Sequence, residues 1–520
     1  MKFDKRWLIL FVIIVSAVCT TIYLNQNHSN DTITEEYLDV DNGDQKINWD
    51  KYPTTDIRLT ETITLSTSGT YHVTGSLDDG SIIINNSQSI IRLILDNVFI
   101  KNNDGPAIID KAGDELVIEL VGENTLEDSD SYSESYEEDV TGAIYSKADL
   151  TIGGEGTLNI TANYQDAIIG KDDLKFSGGT YNIAANDDGI RGKDSIYITG
   201  GNFFIESTAD AIKTTNETDA GKGFILIENG SFNISALGKG IKSVKNILIN
   251  GGNYDIESYD DAIHSDNYIS VSGGNININS KDDGIHANQK LIIDGGEINT
   301  SDAYEGLEAQ VVTINDGKIR LNTIDDGINT GGGADESSKN RQGANIFDSD
   351  ENCVLTINGG DIYINSSGDG LDSNGWLYIN GGKTIVDGPT NNGNGALDAG
   401  AGIVMNGGTV LAVGASGMAE SLGSNSSIFN ASIYLDSAQS SGTLIEIKNS
   451  ANDTIFEYTP TKTFSHIAIG LPEFKFGETY TIYLNGEEYQ SFTISENTTM
   501  VGRDLNQQMM PNSNSRPAKR

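Results

Sequence analysis

Cysteine is nearly absent from this chain of 520 residues: there are two, Cys19 and Cys353, and the first lies in an N-terminal apolar run. Downstream of that run only Cys353 remains, so no intrachain disulfide can form in the mature protein. Proline is equally scarce, 7 residues against 59 glycines, and β-branched residues and asparagine recur throughout. That balance suits many tight turns between short strands and leaves little room for helix. Lysine and arginine total 33 against 75 aspartates and glutamates, a formal net charge of −42. A deficit of that size excludes nucleic acid and anionic membrane surfaces as partners, since both require a basic footprint. Only 3 tryptophans are present, one of them inside the N-terminal run. Exposed aromatic platforms for ligand stacking are therefore scarce.

The chain opens MKFDKRWLILFVIIVSAVCTTIYLNQN, three basic residues followed by an apolar stretch from Trp7 to about Leu24. This reads as an export signal, either cleaved or kept as a single membrane anchor, and places the protein outside the cell or on its surface. A chain this long without disulfides needs several cores or one core that grows by stacking. The residue before each Gly/Ala-Ile pair, once Gly-Leu, marks the beat: Asp166, Asp188, Asp210, Lys239, Asp261, Asp283, Glu305, Asp326, a period of about 22 with one insertion of seven. Gly-Gly turns at 178, 200, 251, 273, 295, 359 and 381 keep the same beat, with Asn229-Gly230 and Asp316-Gly317 in register.

One period, as in LIID, Gly295-Gly296, EINT, an acidic bend and GLEA, holds three short strands and no helix, the pattern of an all-β, single-stranded parallel β-helix. The predicted organisation is an export segment at 1–26, a linker at 27–52, the β-helix at 53–419, a small antiparallel β domain at 420–505 and a disordered tail at 506–520. Insertions at 216–223 and 331–350 should protrude from one bend, and the acidic stretch 123–139 should form a third, mobile loop. After Glu420 the repeat gives way to plain alternation, with Asn485-Gly486 a hairpin turn, so this part should cap the open end of the helix.

Stacking has an electrostatic consequence. Residues of equal phase in successive coils lie about 4.8 Å apart, so the aspartates of NDDGIRG, TADAIKT, YDDAIHS, KDDGIHA and IDDGINT form columns of like charge. Repulsion per neighbouring pair is roughly 1 kcal/mol in water and about 3–4 kcal/mol at an effective dielectric of 20. Three compensations are open. Turn amides can donate to the carboxylates. The residues after each Ile, namely Arg191, Lys213, Lys242, His264 and His286, point outward if Ile points inward and form a cationic ladder that can also receive a uronate chain. Its two histidines should gain charge between about pH 7 and 5.5. Doubled carboxylates also suit Ca²⁺, which takes six to eight oxygens, and the candidate ligands are Asp187, Asp188, Asp210, Asp260, Asp261, Asp282, Asp283, Asp325 and Asp326.

The stretches NYQDAIIGKDDLKFSGGTYNIAANDDGIRGKDSIYITGGNF, LILDNVFIKNNDGPAIIDK, AIYSKADLTIGGEGTLNI and TYTIYLNGEEYQ carry a resemblance that covers most of residues 55–495. They resemble a family of secreted bacterial carbohydrate-binding proteins built on a right-handed parallel β-helix and similar to calcium-dependent polysaccharide lyases. The resemblance implies a non-catalytic surface protein that binds acidic, polygalacturonate-like polysaccharide and carries calcium. A pectate lyase and an adhesin-like stalk are the alternatives. GDGLDSNG looks like a lyase-type calcium cluster with Asp369 and Asp372 as ligands, and Arg191 and Lys213 stand at the phase of a catalytic base. Lys239 and Glu305 depart from the aspartate pattern.

Overall fold

The structure is a computed structural model that describes residues 38, 43–331 and 350–502. The export segment, the tail at 506–520 and nearly all of the 331–350 insertion lie outside the described residues. The rest is a parallel β-solenoid of about 14 turns, with three strands per turn.

The register shows why the period is 22. On the third face, Ile168, Ile190, Ile212, Ile241, Ile263, Ile285, Leu307, Ile328, Leu371 and Leu397 pair in sequence across successive coils. All are buried, so the expected inward phase of Ile263 and Ile285 is correct. The first face stacks Ile196, Ile225, Ile247, Ile269 and Leu291 in the same way. On the second face four aromatic residues form an internal column: Tyr181, Phe203, Phe232 and Tyr254 stack with centroids 4.7, 4.9 and 4.7 Å apart, the rise of one coil.

The corner between the first two faces explains the Gly-Gly beat. Its second glycine has positive φ, as at Gly274 (100°) and Gly296 (89°), and a Cβ on Gly274 would lie 3.0 Å from the carbonyl oxygen of Gly252 one coil away. Asn229-Gly230 and Asp316-Gly317 keep that second glycine, which is why they substitute without disturbing the register.

The stretch 123–139 differs from expectation. Glu123–Glu127 is a strand of the second face, paired with Phe99–Lys101, and only the residues after it leave the solenoid. That excursion is packed rather than free: the Tyr132 ring stacks on Tyr164 at 4.4 Å and its hydroxyl donates to Asp128 at 2.7 Å. Alternation in ENTLE buries Asn124 and Leu126, a signal masked by the acidic composition around it.

The N-terminal stretch is docked along the first face. Leu38 packs against Phe224, Leu226 and Leu248, and Asp44 pairs with Lys175 at 2.8 Å. At the other end, the last solenoid strand, Thr409–Gly414, pairs antiparallel with Phe464–Gly470, which closes its edge. Beyond it lies a separate antiparallel sheet of Ile445–Lys448, Thr454–Tyr458, Thr479–Leu484 and Glu487–Thr493. Asp387, fully buried at the junction, accepts hydrogen bonds from Tyr363, Tyr458 and both the amide and hydroxyl of Thr461.

Candidate functional site

The charged residues of the repeat gather at the corner between the second and third faces. Three of the doubled aspartates are split there: Asp188, Asp261 and Asp283 turn inward and are buried, while Asp187, Asp260 and Asp282 remain partly exposed; Asp325 and Asp326 are both partly exposed. The inner carboxylates are joined to the next coil by its backbone. Asp188 Oδ1 accepts the amide of Asp210, and Asp210 that of Lys239; Asp261 accepts from Asp283, Asp283 from Glu305, and Asp326 from Asp369. One oxygen of each aspartate therefore bonds a turn amide of the neighbouring coil, which leaves the second oxygen to be balanced.

In the N-terminal half that balance comes from the cationic ladder. Arg191 lies 3.1 Å from Asp166, and Lys213 lies 3.2 Å from both Asp188 and Asp210. Lys239, sitting where other coils carry aspartate, reaches Asp260 at 2.8 Å and Asp261 at 2.6 Å. His264 bonds Asp261 and Asp266 through its two nitrogens, and Lys242 helps hold Asp266 ionised.

The expectation of an outward, solvent-facing ladder is therefore corrected. These residues do point away from the core, but His264 is 2% exposed and His286 fully buried, while Arg191, Lys213 and Lys242 are half-buried. Ile190–Gly192, Ile212–Thr214 and Ile263–Ser265 on this face are only three residues long, so the flanking carboxylates of the bend close over the side chain that alternation sends outward. The expected titration between pH 7 and 5.5 is corrected with it. Burial opposes charge on His286, but the carboxylates of Asp261, Asp283 and Glu308 raise it to about 11, so it is already charged at neutral pH. For Asp261, burial pushes the carboxyl up, and His264, His286 and Lys239 overcome this to hold it well below the carboxylate range.

Downstream the ladder changes sign. The positions in register with His286 are Glu308, Asn329, Asp372 and Asp398, and those in register with Asp283 are Glu305, Asp326 and Asp369. Neither column holds a cation beyond His286. Burial and the neighbouring acids Glu308, Asp283 and Asp326 push Glu305 well up; Glu308 and Asp326 are pushed to about 8, Asp369 to about 6 and Glu420 to about 7, burial being the first cause in each. Carboxylate oxygens of Asp326, Asp369 and Asp372 converge within 4.8 Å of one another, and the buried Glu305 nearby has an oxygen without a hydrogen-bond partner. An all-oxygen group with surplus negative charge fits a hard divalent cation such as Ca²⁺. Asp369 and Asp372, first seen as a separate cluster, continue the two columns. Glu308 and Asp398 were missed, although GLEA, GLDS and ALDA repeat one Leu-acid step.

A second surface lies on the flank of the second face. A trough of about 450 Å³ runs across the coils between Asn159 and Ser235. At its centre Phe204, 49% exposed, sits in register between Asn182 and Asn233.

A β-solenoid with a long polar face and an acid-rich corner defines a class of repeat proteins that offer an extended polymer many equivalent contacts. Within that class, the chain belongs to the family described as carbohydrate-binding domain-containing protein: the family model matches residues 60–306 and again 249–335, together more than half of the chain. A curated protein of that description from Acetivibrio thermocellus is 31% identical over 128 residues, which is 24% of this chain and 45% of the relative, so the match spans less than half of the relative's length. A solved structure described as the polysaccharide lyase-like protein from C. thermocellum, gadolinium derivative, is 26% identical with a TM-score of 0.35, over 50% of this chain and 96% of that one.

Proposed function

We propose that this is a secreted or cell-surface, non-catalytic protein that binds acidic, polygalacturonate-like polysaccharide through Ca²⁺ held at the acidic end of its ladder. The observation that carries this reading is the converging carboxylate group of Asp326, Asp369 and Asp372, with no cation in either column beyond His286. Asp325 stands beside it on the partly exposed side. When bound, Ca²⁺ supplies positive charge that these residues lack and shares its remaining positions with uronate carboxylates. The chain's own contribution is to hold the three carboxylates together through the amide relay and to repeat polar contacts along the axis, so that a polymer binds at several points.

The test is retention on polygalacturonate in Ca²⁺ and in chelator, with ultraviolet absorbance followed for unsaturated product. Calcium-dependent retention without product, lost in Asp326→Asn/Asp372→Asn, is expected. Accumulating product would replace this reading with a lyase, and retention unaffected by chelator would remove the metal from it.

The trough around Phe204 favours a second, neutral ligand. Its ring interrupts a chain of side-chain amides in which Asn182 donates to Asn159 at 2.7 Å, so a pyranose could stack on the ring and bond the amides on either side. Phe204→Ala should lower retention on neutral glucan and leave calcium-dependent retention unchanged; equal retention on glucan would discard this second surface.

A further inference from the structure

Where the ladder changes sign, four buried side chains meet around one imidazole nitrogen. Nδ1 of His286 lies 3.4 Å from Asp283 Oδ2, 3.6 Å from Glu308 Oε2 and 3.6 Å from Asp261 Oδ2. These separations are too long for good hydrogen bonds, and both ring nitrogens of His286 and Oε1 of Glu308 are buried without a partner. All four residues are more than nine-tenths buried. Leaving several such groups unsatisfied in one place costs free energy that a native fold normally avoids.

The same distances have a second meaning. In a tetrahedral site with metal–ligand bonds of about 2.0–2.1 Å, ligand atoms stand roughly 3.3–3.4 Å from one another. Nδ1 and the Asp283 and Glu308 oxygens lie mutually within 4.8 Å, close enough to contract onto one ion. Their orientation is already set by the chain. Asp261 and Asp283 spend Oδ1 on the amides of the next coil and turn Oδ2 toward His286. Oδ2 of Asp261 already accepts Lys239 at 2.6 Å and His264 at 2.8 Å, so Asp261 stands beside the group as an outer partner and not as a ligand.

We propose that His286, Asp283 and Glu308, with water in the fourth position, form a Zn²⁺ site inside the solenoid wall, separate from the all-oxygen calcium cluster two coils further on. A nitrogen donor and a low coordination number select zinc over calcium, which needs six to eight oxygens and water to complete its shell. Binding releases the Nδ1 proton. The ion would join the strands at 285 and 307, so its role is to fasten the coil at which cationic compensation ends.

The full chain, freed of metal with chelator and dialysed, is loaded with ZnCl₂ in the presence of excess CaCl₂ and assayed for bound metal; Co²⁺ replaces Zn²⁺ in a parallel sample read by visible absorbance. About one Zn²⁺ per chain and a four-coordinate Co²⁺ spectrum are expected. His286→Gln and Glu308→Gln should each weaken Zn²⁺ by more than about 100-fold, while Asp326→Asn/Asp372→Asn keeps it. Circular dichroism confirms that each variant is folded, and the wild-type Co²⁺ spectrum decides the matter if one is not. Wild-type protein that retains no Zn²⁺ in Ca²⁺, a six-coordinate Co²⁺ spectrum, or folded His286→Gln that binds as tightly as wild type would overturn the assignment. Calcium-dependent retention on polygalacturonate, measured in the same variants, stays intact in His286→Gln if only the zinc site is lost.

Discussion

Replacing Phe232 by alanine tests the idea that the solenoid is held by nearest-neighbour stacking. The side chain is 2% exposed and lies between Phe203 at 4.9 Å and Tyr254 at 4.7 Å, nearly parallel to both. Truncating a core phenylalanine costs about 3–5 kcal/mol. Two stacked neighbours, each worth about 0.5–1.5 kcal/mol beyond burial, place the expected loss at the upper end, about 5 kcal/mol. Each coil touches only the coils beside it, so the damage should stay local. Urea unfolding gives the size of the loss, and hydrogen exchange gives its location: protection should fall in Ser195–Ser207, Ser231–Ala236 and Asn253–Ser258 and persist in Asp361–Ser366. Phe204→Ala is the control, since its ring, next to Phe203 on the preceding coil, faces solvent, and it should cost less than about 0.5 kcal/mol. A loss below about 1 kcal/mol for Phe232→Ala, or faster exchange spread evenly over all coils, would refute the reasoning.

Asp387→Ala removes the acceptor of four hydrogen bonds at the junction with the C-terminal sheet and should cost about 2–4 kcal/mol, read as faster proteolysis between residues 440 and 462; unchanged cleavage would contradict the junction's role. Asp128 carries a pH signature of its own. Burial raises its carboxyl to about 6, only partly offset by hydrogen bonds from Tyr132 and the Asn163 amide. A raised folded-state value means the stabilisation is complete below the unfolded value near 3.8 and is lost as pH rises through about 6. Wild type should therefore lose about 2–3 kcal/mol from this group between pH 4 and 7, and Asp128→Asn should not; parallel stability profiles for the two proteins would exclude it.

The solenoid was legible because its causes are periodic: inward isoleucine, a left-handed glycine and an acidic bend recur every 22 residues, and strand register follows from them. The export segment and the tail stay outside the described residues. The ladder was legible in phase and illegible in exposure. Alternation correctly sends His264 and His286 away from the core, but whether such a residue reaches water depends on which carboxylates turn over it: Asp261 and Asp266 of its own coil for His264, Asp261 and Glu308 of the coils on either side for His286. The sign change after His286 was written in GLEA, GLDS and ALDA and escaped notice because a search for cations does not count the acids that take their places. The amide relay between coils cannot be read from the sequence, since any aspartate before glycine has local turn amides to choose from.

Both long insertions fall at one corner in the chain order, after the third-face strands Ile212–Thr214 and Ile328–Thr330, and the ladders on either side stay in register: Ile198 meets Ile227, and Ile314 meets Ile357. Among the described residues, the strands on either side of that corner keep their register whatever length of chain is spent there. It therefore behaves as a splice point, where cargo such as a reporter peptide or a whole folded module can be grafted while the scaffold keeps its pitch. Grafts on alternate coils would stand about 9.6 Å apart along the axis, which turns the protein into a ruler for displaying ligands at fixed intervals.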